Sequence, residues 1–185
     1  MAASRPPLPR RRRPLTLTAS ALAVVALAML LFLRAAPGAA GEELLKADRV
    51  VVLKSQRELR LMRGAAVLRS FQIALGSHPR GPKLRRGDGR TPEGLYVVDG
   101  RNPRSAYHRS LHLSYPNDQD RARARAAGFN PGDHMYIHGM PNRYGRFDPV
   151  RFFRDWTDGC IAVGSIAIEE IWARVDDGTP VEIRP

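Results

Sequence analysis

From Arg49 onward the chain runs in short apolar or alternating segments broken by turn signals, and this pattern limits the fold more than any other feature. Arg49 to Lys54 (Arg-Val-Val-Val-Leu-Lys) predicts a strand, Ser55-Gln56 a turn, and Glu58 to Met62 a second strand in which polar and apolar residues alternate. Arg63-Gly64 is the next turn and Ala66 to Leu75 the next strand, so the segment opens as a meander of hairpins. Gly76 to Gly89 holds Pro79, Pro82 and four glycines and predicts a loop. Further strands are expected at Leu95 to Val98, Leu111 to Tyr115, Met135 to His138, Cys160 to Val163 and Pro180 to Ile183. Asp118 to Ala127 has helix formers, acids in its first turn and Gly128 as a stop. A second helix is expected at Ile166 to Val175, capped by Ser165, and a helical turn at Pro149 to Trp156. Many short strands with two short helices argue for a β-rich sandwich or barrel with helical decoration.

The first residues concern topology. Residues 1–14 form a basic tail with the cluster Arg10 to Arg13, expected to stay cytoplasmic. Leu15 to Leu33 follows, 19 residues with no charge. At about 1.5 Å per residue such a helix spans about 28 Å, close to a bilayer core, so it reads as a transmembrane anchor or a signal peptide. The linker, residues 34–47, contains Ala35-Ala36-Pro37-Gly38-Ala39-Ala40-Gly41, small residues that can hold a cleavage site. Either reading places residues 48–185 outside the cytoplasm. The formal net charge is +12, and six arginines precede the first acid, Glu42. No basic run interleaves with aromatics as a nucleic-acid groove requires, so no nucleic-acid partner is expected.

Cys160 is the chain's one cysteine, in Thr157-Asp158-Gly159-Cys160-Ile161, and His138 stands 22 residues upstream in Tyr136-Ile137-His138-Gly139. An exported chain with one cysteine forms no internal disulfide, so the thiol is either inert core or a functional group. A thiol ionises near pH 8.5 and attacks a carbonyl at neutral pH only with help, which an imidazole supplies by taking the proton. A raised thiolate fraction at pH 7 is therefore expected at Cys160. Gly159, without a Cβ, allows close backbone approach, and the amides of Gly159 and Cys160 can face the oxygen of a tetrahedral intermediate. His134 and His138 are four apart, but on a strand that spacing separates them by about 13 Å, too far for one metal.

These segments resemble the YkuD-type L,D-transpeptidase catalytic domain, through His138-Gly139, Thr157-x-Gly159-Cys160-Ile161, Thr91-Pro92-x-Gly94 and the ending Asp177-Gly178-Thr179-Pro180-Val181. The resemblance covers roughly residues 48–185 and implies a β-sandwich-like mixed sheet with the cysteine in a groove under a loop lid. It implies a peptidoglycan tetrapeptide stem as substrate, D-alanine as leaving group, a thioester on Cys160, and an amine acceptor. The roles it carries over are Cys160 as nucleophile, His138 as general base, the Gly139 carbonyl as orienter of the imidazole and Gly159 as an oxyanion-hole amide. No metal or organic cofactor is implied, and the location is the cell envelope, facing the periplasm.

Two positions depart from the family pattern: Asp158 stands where a histidine is usual, and Ala162 where an arginine is usual. Asp158 can accept a hydrogen bond from a neighbouring cation or form an Asx-turn ahead of Gly159. Arg151 and Arg154, with Arg143 and Arg146, are candidates to supply a guanidinium for a substrate carboxylate. Two other readings stay open. One is an L,D-carboxypeptidase or amidase that resolves the same thioester with water. The other is a catalytically inactive membrane-anchored cell-wall-binding module.

Overall fold

The structure, a computed structural model, describes residues 44–144 and 154–185. The expected basic tail and membrane segment, and most of the linker, lie outside the described residues. The elements in chain order are β1 (Arg49–Leu53), β2 (Glu58–Arg63), β3 (Ala66–Gln72), β4 (Gly94–Ser105), β5 (His108–Leu113), α1 (Asp118–Ala126), β6 (Met135–His138), a 3-10 turn (Asn142–Tyr144), β7 (Ile161–Ala162), α2 (Ser165–Arg174) and β8 (Pro180–Arg184).

The described strands form one sheet in the order β3-β2-β1-β8-β4-β5-β6-β7. The β1–β8 and β6–β7 pairs are parallel and the others antiparallel, so the sheet is mixed. β1 sits inside the sheet, which explains its unbroken Val50-Val51-Val52 run, buried on both faces. β2 lies nearer the edge and alternates, burying Leu59 and Leu61. α2 closes the core with Ile168 and Ile171, both fully buried, beside Val163 and Val175.

The expected strand Ala66 to Leu75 divides in two. Pairing with β2 ends at Gln72, and the chain then crosses to the far edge of the sheet. There Ala74 and Ala162 exchange both backbone hydrogen bonds, at 2.9 and 2.8 Å, and Gly76 bridges to Thr157. The continuation of one edge strand thus covers the other edge at Ala162, while β3 itself remains an edge strand. Small residues make the crossing possible: a Cβ at Gly76 would lie 2.1 Å from the Gly89 carbonyl oxygen.

The strand expected at Leu95 to Val98 is longer in fact. β4 runs on to Ser105 and pairs with β5 through two register shifts, making a twisted arm. The signals for it are weak, because Gly100, Asn102 and Pro103 are poor strand formers and Arg101 and Arg104 interrupt the apolar pattern. The second helix starts one residue before the expected Ile166: Gly164 is the N-cap, and the buried Ser165 hydroxyl makes no cap bond. Of Pro149 to Trp156, residues 149–153 lie outside the described set and Arg154 to Trp156 are irregular.

Two buried lysines tie down the loop between β3 and β4. Lys54 donates to the carbonyls of Gly81 (2.7 Å) and Thr91 (2.9 Å) and to Glu93 (2.8 Å). Lys83 pairs with Asp88 at 2.8 Å. Asp155 fixes the segment leading to Cys160 by accepting from the Leu75 amide at 2.9 Å while paired with Arg57 at 2.6 Å.

Candidate active site

The β6–β7 register brings the two sequence candidates together. Ile137 lies opposite Ile161 and His138 opposite Ala162, so one step back sets Cys160 beside Tyr136. Alternation then turns Ile137 and Ile161 into the core and Tyr136, His138 and Cys160 to the other face. That face opens into a cavity of about 520 Å³ lined by His138, Cys160, Tyr136, Ser110, Tyr107, Trp156, Thr157, Asp158 and the β4–β5 arm residues Asn102, Ser105 and Ala106.

His138 is 5% exposed. Its Nδ1 lies 2.7 Å from the Gly139 carbonyl oxygen. A carbonyl only accepts, so Nδ1 carries the proton and Nε2 keeps its lone pair. Tyr107 packs on the ring at 4.5 Å between centroids, and Trp156 meets it edge-on at 5.8 Å. Burial pushes the imidazole below its ordinary value, against the Gly139 hydrogen bond, so His138 is neutral at pH 7. Gly139 has no room for a side chain: a Cβ would lie 2.9 Å from both Ile168 Cγ2 and the Tyr107 carbonyl oxygen.

Cys160 is half-buried, with its sulfur 3.6 Å from the His134 carbonyl oxygen. Burial pushes its thiol up, hydrogen bonding from the Tyr136 backbone and the charge of Lys83 pull it down, and Asp158 pushes it up again. The net direction is upward, so the raised thiolate fraction expected from sequence is corrected: the resting thiol holds its proton. Burial outweighs the nearby positive charge.

The nucleophile turn is built by Thr157. Its Oγ1 accepts from the Gly159 amide at 3.1 Å and donates to the Cys160 carbonyl at 2.7 Å. The hydroxyl, not an Asp158 Asx-turn, organises this segment, and the Thr-x-Gly spacing was its signal. The Gly159 amide is therefore engaged inside the turn, not directed at the cavity as expected for an oxyanion donor. What Gly159 supplies is shape: its φ is 136°, and a Cβ would lie 2.6 Å from the Arg90 carbonyl oxygen.

Of the other candidates, Asp158 is exposed and lines the cavity. Arg154 is exposed and does not line it, and Arg151 lies outside the described residues. Ala162 is fully buried. His134 precedes β6 with φ 60° and is exposed, pairing with Asp133 at 2.7 Å, while His112 pairs with Asp99 at 2.5 Å. Sequence reasoning missed Lys83, Trp156 and the arm residues Asn102 and Ser105. Trp156 adjoins Thr157 and was legible by proximity; the arm was hidden by its poor strand signal.

The chain matches the L,D-transpeptidase catalytic domain (YkuD) over residues 47–183. YafK of Escherichia coli strain K12 is 33% identical over 108 residues, which is 57% of this chain and 36% of that protein, so the chain spans little more than a third of this relative's length. The helical cell shape determining protein Pgp2 of Campylobacter jejuni is 26% identical with a TM-score of 0.53, covering 73% of this chain and 46% of Pgp2. Bd1075 of Bdellovibrio bacteriovorus shares the fold at 22% identity and a TM-score of 0.52, covering 78% of this chain and 50% of its own. With a family match that extends from Ala47 to Ile183, the chain belongs to the L,D-transpeptidase catalytic-domain (YkuD) family.

Proposed function

We propose that this protein is a peptidoglycan L,D-transpeptidase in which Cys160 is the nucleophile and His138 the general base. The observation that carries the reading is the single cavity face shared by the Cys160 sulfur and an imidazole whose Nδ1 is locked on the Gly139 carbonyl, leaving Nε2 free to take a proton.

A tetrapeptide stem enters the cavity with the amide before its terminal D-alanine over Cys160. Sγ attacks the carbonyl carbon, and the thiol proton moves to His138 Nε2. The carbonyl oxygen becomes an oxyanion, for which the Cys160 backbone amide is the proposed donor, since the Gly159 amide is held by Thr157. The tetrahedral intermediate collapses, the C–N bond breaks, and His138 returns the proton to the departing D-alanine nitrogen. The amine of a second stem then attacks the thioester and gives its proton to His138. The C–S bond breaks, and the thiolate recovers the proton. Asp158, at the cavity mouth, is proposed to face the substrate, and Arg151 and Arg154 to meet its carboxylate from the approaching segment.

The envelope is the proposed place of action, with Leu15 to Leu33 as anchor or signal and residues 48–185 outside. The name of Pgp2, a cell shape determining protein, supports a role in the wall. A reporter enzyme active only outside the cytoplasm, fused after Pro185, is expected to work. Activity of a cytoplasmic reporter in its place overturns the topology.

Intact-mass analysis of the full chain with a tetrapeptide stem tests the reaction. Expected are a thioester adduct, released D-alanine and a cross-linked amide, all lost in Cys160→Ala. A product carrying water in place of the amine assigns the carboxypeptidase or amidase alternative. D-alanine release by Cys160→Ala, or no adduct on wild type, overturns the enzymatic reading in favour of an inactive binding module.

A further inference from the structure

Beside the nucleophile turn lies an ion pair with no part in the reaction above. Lys83 is 4% exposed, and burying an ammonium is costly unless a partner and hydrogen bonds compensate. Asp88 is the partner, at 2.8 Å. That carboxylate is itself fixed by three backbone amides, from Leu84 at 2.8 Å, Arg85 at 3.1 Å and Arg90 at 3.1 Å. Lys83 Nζ also reaches the Asp158 carbonyl oxygen at 3.5 Å, one peptide before Gly159. The same loop presses the Arg90 carbonyl against Gly159, and a Cβ at Gly76 would come within 3.1 Å of the Gly159 Cα. Residues 76–91 therefore form a floor under the turn that carries Cys160, and Lys83 is the charged group in contact with that turn.

We propose that Lys83 is a positioning residue for Cys160: its buried ammonium, oriented by Asp88, holds the Asp158–Gly159 peptide in place and sets a fixed positive charge beside the sulfur. The inference rests on Cys160 being the nucleophile. The charge is most useful when the thiol has given up its proton to His138, because the developing thiolate then faces a cation that needs no reorganisation. Among the described residues, the other groups facing the sulfur are few. Asp158 comes from its own turn, and His134, Tyr136 and His138 come from β6 and the residue before it. From the loop comes Lys83, with Asp88 as its partner at 2.8 Å; Arg90 meets the turn through its carbonyl while its guanidinium reaches the Pro82 carbonyl at 3.5 Å. Burial, as the larger influence on the thiol, is set by packing; of the charges, Lys83 pulls it down and Asp158 pushes it up, and Asp88 acts through its hold on Lys83.

The two members of the pair carry opposite charges and are expected to act on the thiolate with opposite sign, which separates this role from structural support. Iodoacetamide alkylation of the full chain, followed from about pH 6 to 10, reads the thiol directly, and with one cysteine all label reports on Cys160. Lys83→Met is expected to move the profile to higher pH, slowing alkylation at neutral pH about 3- to 10-fold, the effect of half to one pH unit. Asp88→Asn is expected to move it to lower pH, and Lys83→Arg to restore it. Lys54→Met, which removes the other buried lysine, is expected to lower the melting temperature and leave the profile in place. Shifts of the same sign in Lys83→Met and Asp88→Asn, or an unmoved Asp88→Asn profile, overturn the proposal. If Lys83→Met does not fold, Asp88→Asn, which keeps the lysine, decides. Alkylation reads the sulfur whether or not a stem peptide turns over, so failure of the transpeptidase reading leaves this outcome intact.

Discussion

Replacing His138 by asparagine isolates the proton acceptor. Alanine would confound the experiment: His138 is 5% exposed, with Tyr107 at 4.5 Å and Trp156 at 5.8 Å, and truncation would open a cavity costing about 2–4 kcal/mol. Asparagine puts an amide near the place of Nδ1, keeps the donor to the Gly139 carbonyl, and has nothing at Nε2. The resting pair is neutral. Ordinary values of 9.0 for the thiol and 6.5 for the imidazole already differ in the sense that opposes transfer, and burial widens the gap from both sides. A thiolate–imidazolium pair therefore lies at least about 3 kcal/mol above the neutral one before the attraction between the ions is counted. The proton leaves as the sulfur attacks. Without Nε2 the thiolate must form by loss of its proton to water, and at pH 7 it is then at most about 1% of the enzyme. Acylation of His138→Asn by a tetrapeptide, measured as thioester formation in a single turnover, is expected to fall by at least about 10², within the usual 10² to 10⁴ for general base help. The loss is expected to shrink about tenfold per pH unit up to the thiol's own pKa. A folded variant that acylates at the wild-type rate at pH 7, or one whose deficit does not respond to pH, refutes the role given to Nε2.

Three further outcomes follow from the same geometry. Thr157→Val keeps the shape and removes a hydroxyl bonded to the Gly159 amide and the Cys160 carbonyl, so thermal unfolding is expected to show a loss of about 1–3 kcal/mol with slower acylation, and Thr157→Ser is expected to recover both. Gly139→Ala forces a Cβ against Ile168 and the Tyr107 carbonyl, and is expected to cost about 1–3 kcal/mol in chemical denaturation. Stability is expected to fall as the pH drops below about 6.5, because the unfolded chain binds a proton that the buried His138 refuses; the slope contributed is at most about 1.4 kcal/mol per pH unit, and His138→Asn should remove it.

What the sequence made legible was local. The Val50 to Val52 run, the alternation of Glu58 to Met62 and the acids opening α1 each encode their element in a few adjacent residues, and the structure keeps them with small changes of boundary. Cys160 and His138 were found because each carries a reactive atom beside a glycine. What was not legible depends on residues far apart in the chain. The crossing of Ile73 to Ser77 onto β7 is decided by Ala74 meeting Ala162, 88 positions away. The β4–β5 arm is held by cross-strand pairing that its glycine, proline and arginines conceal. Nothing in the neighbours of Lys83 announces that its ammonium lies 3.5 Å from the Asp158 carbonyl. The direction of the thiol's shift escaped for the same reason: the raised thiolate fraction was expected from a nearby imidazole, whereas burial by the whole fold is the larger influence.

The two departures from the family pattern take a physical form in this arrangement. Ala162 is paired on both sides, with Ala74 and with His138 of β6, is fully buried, and by alternation shares the face of Cys160 and His138. Asp158 adds a negative charge at the cavity mouth, and its carboxylate pushes the thiol further up. A site that relied on a standing thiolate would be weakened by that charge. A site in which a neutral imidazole takes the proton during attack bears it more easily, because the sulfur is charged only briefly and Lys83 stands beside the same turn. Lys83 and Asp158 are opposite influences on one atom, and their balance, more than either alone, sets how readily Cys160 parts with its proton.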